Sequence, residues 1–212
     1  MKKTDYILSL IAHGEHEHQD FKYQISDARK IARSIAAFAN NSGGRLLIGV
    51  KDNGNIAGVK SDEEIYMIEQ AAEMYCSPSQ TVHFSIYNVE GKSILKVDID
   101  EAIDKPVKAK DDNNRWRTYY RVADENILAS GTHVKVLKHS SDNNQGTAIS
   151  FTEKEREFLD YLNNHGGITI SNVKQLLHCS QIAADEMIVN LCALGIVEIN
   201  YHDSECLLTL KD

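Results

Sequence analysis

The amino-acid sequence lacks the features that mark several common classes of protein. None of its apolar runs approaches the roughly 18 residues that a membrane-spanning helix needs, so we expect no membrane segment. The 4 cysteines are widely spaced and form no CxxC pair, which disfavours a disulfide scaffold and a zinc finger. The chain has no GxxxxGKS/T phosphate loop, no GxSxG elbow and no HExxH helix. We therefore expect no ATP binding and no hydrolase of those types.

We also expect neither a secretion signal nor a uniformly basic surface. Two lysines precede an apolar stretch at residues 7–12, but this stretch is short, is broken by Ser9 and lacks a convincing cleavage site. We interpret it as the first amphipathic helix of a cytoplasmic protein. The formal net charge of −8 argues against a nucleic-acid coat protein, although it is compatible with a local basic patch.

Length and composition predict two globular regions joined by a linker. The 212 residues are 42% hydrophobic and 25% charged, which is ordinary for a folded chain with a real core. A polar segment without periodicity predicts a linker at 139–147, between domains at 1–138 and 148–212. Residues 1–145 carry 19 basic and 21 acidic side chains, whereas residues 146–212 carry 4 and 10. The acidity therefore belongs mainly to the smaller, C-terminal region.

Hydrophobic periodicity predicts an α+β fold with a mixed sheet in the first region. It indicates helices over residues 4–12, 27–40 and 62–75, a central strand over 46–50, and hairpins over 82–99 and 107–122. In the second region, Thr152 and Glu155 form a capping-box pattern, and two further helices and a hairpin follow. That order is typical of a winged helix-turn-helix domain.

Residues 38–54 carry the most specific motif of the chain. They read Phe-Ala-Asn-Asn-Ser-Gly-Gly-Arg-Leu-Leu-Ile-Gly-Val-Lys-Asp-Asn-Gly, with Ile56 and Gly58 after them. This run resembles the Schlafen-type AlbA-like DNA-binding domain. Segments 14–22, 105–107 and 120–122 match other parts of that family, so the resemblance covers about residues 10–130. Many family members continue into a winged helix, as this chain is predicted to do.

The resemblance implies nucleic-acid binding and, in Schlafen nucleases, metal-dependent cleavage by three carboxylates. These would be Glu15, Asp20 and Asp52, with Mg²⁺ or Mn²⁺ as the metal. Asp20 stands where the family usually has Glu, which shortens its reach. Three converging carboxylates could hold such an ion and activate water for attack on a phosphodiester. The alternative is that Asp52 forms a turn, Asp20 pairs with a lysine and Glu15 is solvated.

Three cations at the start of the second predicted helix are candidate phosphate contacts. Arg29, Lys30 and Arg33 lie where the helix dipole disfavours positive charge. Positive side chains beside exposed helix N–H groups suit an incoming phosphate. The alternative is a solvated helix face, or a pairing with Asp27.

The second candidate surface is a basic segment interleaved with aromatic residues. We predict phosphate contacts by its cations and base stacking by its aromatics; these residues are Lys108, Arg115, Trp116, Arg117, Tyr119 and Arg121. Alternatively, the aromatics pack the sheet and the charges are solvated.

A tract of three histidines, His13, His16 and His18, is interleaved with acidic residues near the start of the chain. It could bind a transition metal or could simply be polar.

The helix predicted at 181–194 occupies the place of a recognition helix, but it contains Asp185 and Glu186 and no Lys or Arg. Because it would repel phosphates, we interpret the C-terminal domain as a dimerisation or protein-contact element. The leading hypothesis is a regulatory, transcription-regulator-like protein that binds DNA or RNA through its N-terminal domain. One alternative is a metal-dependent endoribonuclease, and another is a protein-interaction module that does not contact nucleic acid.

Overall fold

A computed structural model describes residues 3–59, 61–141, 151–202 and 205–211. The chain divides into two compact units, Met1–Leu128 and Ala129–Asp212. In the part of the chain that is described, no helix has the length and apolar character needed to cross a bilayer. The elements confirm the predicted α+β class with a mixed sheet.

The first unit contains three helices and eight strands among its described residues. In chain order they are α1 (Lys3–Ala12), β1 (Gln19–Lys22), α2 (Ala28–Asn40), β2 (Gly44–Ile48), α3 (Glu63–Met74), β3 (Cys76–Ser77), β4 (Val82–Val89), β5 (Lys92–Ile99), β6 (Lys108–Lys110), β7 (Trp116–Val122) and β8 (Glu125–Leu128). One sheet has the order β1-β2-β5-β4, in which β1 and β2 are parallel and the other pairs antiparallel. The second sheet has the order β3-β6-β7-β8 and is antiparallel.

Helix α2 forms the centre of the main core because it contacts strands of both sheets. Ten of its 13 residues are buried, and its apolar side packs with Leu46 and Ile48 of β2 and with Val107 and Ala109 near β6. Leu47 faces the opposite side of its sheet and joins a second cluster with Ile7 of α1. The near-continuous apolar run of β2 is thus explained by burial on both faces.

The N-terminus of α2 begins one residue later than its sequence pattern suggests. Asp27 is the N-cap, and its carboxylate accepts a hydrogen bond from Arg29 N at 2.9 Å. After the helix, Gly43 has φ +74°, which favours glycine, and a Cβ on Gly44 would lie 2.3 Å from the Phe38 ring. The two glycines therefore allow the chain to turn tightly from α2 into β2.

The second unit begins with α4 (Gly131–Ser141), which packs against α7 (Gln181–Ala193). The remaining elements are α5 (Glu153–His165), β9 (Ile168–Thr169), α6 (Ile170–Leu176), β10 (Val197–His202) and β11 (Glu205–Leu210). The strands form one antiparallel sheet in the order β10-β11-β9. The capping box at the start of α5 is present, as predicted.

The division between the units lies at residue 128, ten residues before the predicted end of the first domain at 138. The reason is that α4 contributes its apolar side to the second unit, where Leu137 is buried. The predicted linker, 139–147, begins inside α4. Its residues 142–147 lie outside the described part of the chain.

Asp185 of α7 is buried rather than displayed on the helix surface. Its carboxylate accepts hydrogen bonds from Thr132 (2.7 Å), Lys135 (2.6 Å) and Gln181 (2.9 Å). Burial alone would raise the pKa of Asp185, but these bonds lower it overall. One of the two acidic residues counted against DNA contact by this helix therefore serves the packing of α4 on α7.

Candidate nucleic-acid interface

Cationic and aromatic side chains of the first unit form two clusters that share helix α2. The Tyr75 cluster consists of Arg29, Tyr75, Lys110 and Trp116, and the Tyr119 cluster consists of Arg33, Arg117 and Tyr119 with Asp111 and Asp112. Arg29 and Arg33 are four residues apart on α2 and so lie on one face of that helix. We call the two clusters together the basic–aromatic surface.

In the Tyr75 cluster, cations and rings alternate. The Arg29 guanidinium lies 5.6 Å from the centroid of the Tyr75 ring, and the Lys110 ammonium lies 5.8 Å from it. The same ammonium lies 5.0 Å from the Trp116 ring, because Lys110 and Trp116 are cross-strand partners of β6 and β7. Lys110 N also donates to Tyr75 O at 3.0 Å, which fixes Tyr75 against this strand. Trp116 remains 43% exposed.

In the Tyr119 cluster, both arginines are paired with aspartates. Arg33 Nη2 lies 2.7 Å from Asp112 Oδ1, and its guanidinium lies 5.8 Å from the Tyr119 ring. The hydrogen bond with Asp112 is the main cause that raises the pKa of Arg33. Arg117 Nε lies 3.4 Å from Asp111 Oδ2.

Two asparagines at the end of α2 hold β7 in place for these clusters. The buried Asn40 donates to Val107 O (2.7 Å) and Tyr119 O (2.8 Å) and accepts from Val107 N (2.7 Å). Asn41 accepts from the Tyr120 hydroxyl at 2.9 Å. The asparagine pair of the motif is thus a structural connection between α2 and the strand that carries the aromatic residues.

The structure brings together five of the nine predicted nucleic-acid contacts. Arg29, Arg33, Trp116, Arg117 and Tyr119 belong to the basic–aromatic surface. The cations Lys30, Lys108 and Arg115 are exposed, and Arg115 lies at the tip of the β6–β7 hairpin. The predicted set did not include Tyr75 or Lys110. The signal for Lys110 was its position within the basic segment, whereas Tyr75 comes from the end of a separate helix.

The prediction that Arg121 contacts phosphate is contradicted by its burial. Arg121 is 1% exposed and forms an ion pair with Asp20 at 3.5 Å. Its guanidinium donates to Gln19 O (3.3 Å) and to Asn126 Oδ1 (3.1 Å), and it lies 5.0 Å from the Phe38 ring. These contacts connect β7 to β1 in the interior, so the side chain is not available to a ligand.

Two of the three carboxylates predicted to bind metal do lie together. Glu15 Oε1 accepts a hydrogen bond from Phe21 N at 2.8 Å, and Glu15 is also hydrogen-bonded to Asp20. Burial, followed by this contact with Asp20, raises the pKa of Glu15 to about 7. Asp20 is 3% exposed and forms a 2.7 Å ion pair with Lys22 in addition to the one with Arg121.

Asp52, the third predicted ligand, is exposed in the turn that follows β2. Within the described ranges, no three His, Cys, Asp or Glu side chains are grouped so that they could hold a metal ion. Asp20 is already neutralised by Lys22 and Arg121, and Glu15 binds its proton more tightly than an ordinary carboxylate. This donor set does not fit Mg²⁺ or Mn²⁺, which bind ionised oxygen ligands.

The histidine tract is held by hydrogen bonds to the main chain. His16 Nδ1 accepts from His18 N at 3.2 Å, and His18 Nδ1 lies 3.2 Å from Gly43 O. His13 Nδ1 lies 2.5 Å from Ser9 O. Burial is the main cause that lowers the pKa of His16. These contacts support the polar, structural interpretation of the tract.

Comparison with known proteins gives one family match. The sequence model of the family described as Schlafen, AlbA_2 matches residues 15–130. The search of curated proteins found no match. This family match suggests a nucleic-acid-related role.

Two solved structures share 20% sequence identity with the chain. The DIP2311 protein of Corynebacterium diphtheriae aligns with a TM-score of 0.44, over 62% of this chain and 25% of that one. The N-terminal domain of a RecG-related ATP-dependent DNA helicase protein from Nitrosomonas europaea aligns with a TM-score of 0.43, over 72% of this chain and 98% of that one. The present chain thus spans a quarter of the length of the Corynebacterium chain.

Proposed function

Because the chain belongs to the Schlafen AlbA_2 family, we propose that its N-terminal unit binds nucleic acid through the basic–aromatic surface. The observation that carries this proposal is the alternation of Arg29, Tyr75, Lys110 and Trp116, with ring-to-cation distances of 5.0 to 5.8 Å. The cations can neutralise phosphates, and the half-exposed rings can stack on bases.

Single-stranded nucleic acid is the substrate class that this surface suits best. Only unpaired bases can expose their faces to Trp116 and Tyr75, because the bases of a duplex stack on each other. Arg29 and Arg33 of α2 lie over the Tyr75 and Tyr119 rings, so the cations and the stacking rings are available to the same strand.

The proposal is tested by titrating fluorescently labelled single-stranded RNA, single-stranded DNA and duplex DNA with the full chain, in EDTA, and following anisotropy. Four phosphate contacts would make the logarithm of the affinity for a single strand fall by about 3 per tenfold increase in salt. We expect both single strands to bind more tightly than the duplex. Binding that does not respond to salt would refute the proposal.

A matched pair of tyrosine variants locates the interface. Tyr75→Leu should weaken single-strand binding by about 5- to 100-fold, the usual effect of losing one stacking ring. The control is Tyr66→Leu on α3, since Tyr66 is 65% exposed and is not part of the basic–aromatic surface. Equal losses in both variants would show that binding takes place elsewhere.

We assign a regulatory role to the nucleic-acid-binding protein and contacts between copies of the chain to its second unit. From α5 onwards the described residues of this unit form three helices, with the short strand β9 between the first two, followed by the β10–β11 hairpin, and this order supports a winged helix. Helix α7 contains no Lys or Arg and leaves Ile182 68% exposed. Sedimentation of the full chain and of Ile182→Glu would test this, with a shift towards smaller species expected in the variant. Unchanged sedimentation would contradict an interface at α7.

The metal-dependent endoribonuclease and the pure protein-interaction module stay hypotheses, as does the cytoplasmic location. Of the three carboxylates that such a nuclease would need, Glu15 and Asp20 are in contact, but the ion pairs of Asp20 and the raised pKa of Glu15 weigh against a metal ion there. Cleavage of RNA that requires Mn²⁺ and is lost in Asp52→Ala would establish that alternative. If no nucleic acid binds in the titration above, the interaction module becomes the better hypothesis.

A further inference from the structure

We propose that Asp112, at the tip of the β6–β7 hairpin, is a built-in competitor of nucleic acid: its carboxylate occupies the position on Arg33 that a phosphate would take. The inference rests on the proposed function and adds a residue that sets the affinity of the same surface. It requires that the aspartate and a phosphate use the same donor groups of Arg33.

The geometry of the pair matches that of a phosphate contact. Arg33 Nη2 lies 2.7 Å from Asp112 Oδ1, the distance of a charge-assisted hydrogen bond to an anionic oxygen. The Asp112 side chain is 69% exposed, whereas that of Arg33 is 25% exposed. Arg33 is therefore held by the protein, and the aspartate is the partner that can move away.

The neighbouring Asp111 has a different role, because its hydrogen bonds stabilise the turn at the hairpin tip. Its Oδ1 accepts hydrogen bonds from Asn113 N (2.9 Å) and Arg115 N (2.8 Å), and its own N donates to Arg115 O (2.9 Å). The hydrogen bond from Arg115 N to the carboxylate is the main cause that lowers the pKa of Asp111. Replacing Asp111 would disturb the turn, whereas replacing Asp112 removes the carboxylate on Arg33 and leaves those bonds in place.

Competition has a defined consequence for binding. A phosphate that contacts Arg33 must first displace Asp112, so the measured affinity contains the cost of breaking that ion pair. Exposed ion pairs are weak, and removing this one should tighten binding of single strands by about two- to tenfold.

The experiment measures the dissociation constant of labelled single-stranded RNA by anisotropy for the full chain and four variants. They are Asp112→Asn, Arg33→Gln, the double variant, and Asp124→Asn as the control. Asp124 is exposed in the turn between β7 and β8, so its replacement makes the same change in net charge away from Arg33. The melting temperature of each variant shows that it is folded.

We expect tighter binding for Asp112→Asn, little change for Asp124→Asn, and no gain from Asp112→Asn when Arg33 is already glutamine. The last comparison separates competition for Arg33 from general repulsion of the nucleic acid. An equal gain from both aspartate changes, or a gain that persists without Arg33, overturns the inference. Unchanged binding by Asp112→Asn refutes the inference alone, whereas no binding by any of the proteins refutes the proposed function and the inference together.

Discussion

Asn40 provides a quantitative test of how α2 positions the interface. The side chain is 1% exposed, and its amide group donates to two main-chain oxygens, Val107 O and Tyr119 O, at 2.7 and 2.8 Å. Asn40→Asp keeps the size and the acceptor for Val107 N but loses both donors. A carboxylate oxygen then faces two carbonyl oxygens that have lost their partner.

Each buried acceptor left unsatisfied costs about 1–3 kcal/mol, so we expect the free energy of unfolding to fall by about 3 kcal/mol or more at neutral pH. For a unit of this size that corresponds to a melting temperature lower by about 12 °C. The loss should be smaller at acid pH, where the introduced carboxyl is protonated and restores one donor.

Urea unfolding followed by tryptophan emission measures this effect, because the single Trp of the chain lies on β7, the strand that Asn40 holds. Asn88→Asp is the control: Asn88 is exposed, and its Oδ1 accepts a hydrogen bond from Gly91 N, which the aspartate can retain. If Asn40→Asp is as stable as the control variant, the asparagine does not hold the strand and the account of the motif is wrong.

Three further predictions concern stability. Gly44→Ala would place a Cβ 2.3 Å from the Phe38 ring, so the free energy of unfolding should fall by about 1–3 kcal/mol, as measured by thermal unfolding. The control is Gly131→Ala, which has open space around it and should show no loss. Because the pKa of Glu15 is raised from 4.5 to about 7, its contribution to stability is present below pH 4.5 and lost as the pH rises through about 7. Urea unfolding across this range should show a flatter pH dependence for Glu15→Gln, and parallel curves would refute the shift. Asp185→Ala leaves the three donors on Thr132, Lys135 and Gln181 without their acceptor, so the second unit should be destabilised by about 2 kcal/mol. Calorimetry measures this loss, and an unchanged transition would show that the three donors find other partners.

Local sequence patterns predicted the elements of the fold, but they predicted only part of the candidate site. Helix α2 and strand β2 were predictable because the apolar spacing and the glycine pair act over a few residues. Arg121 was assigned to the surface because it lies in the basic segment that is interleaved with aromatic residues. Its burial depends on Asp20, about one hundred residues earlier in the chain, and no local pattern carries that information.

The predicted metal site also depended on contacts between distant parts of the chain, which no local pattern shows. Whether carboxylates from β1 and from the turn after β2 converge depends on the register of the two strands, in which Asp20 pairs with Leu46. Asp52 lies six residues beyond that pair, in a turn, and does not join Glu15 and Asp20 in a metal-holding group of the described residues. The spacing of the three carboxylates in the sequence could not reveal this.

The measurement that tests the central claim most directly is the emission of Trp116 during titration with an unlabelled single-stranded oligonucleotide in EDTA. Trp116 is the single Trp of the chain, it is 43% exposed, and it lies against Lys110 within the proposed interface. The account predicts quenching that saturates with the dissociation constant found by anisotropy and is reversed by salt. An oligonucleotide that binds while the emission stays unchanged, or that fails to bind, would contradict it.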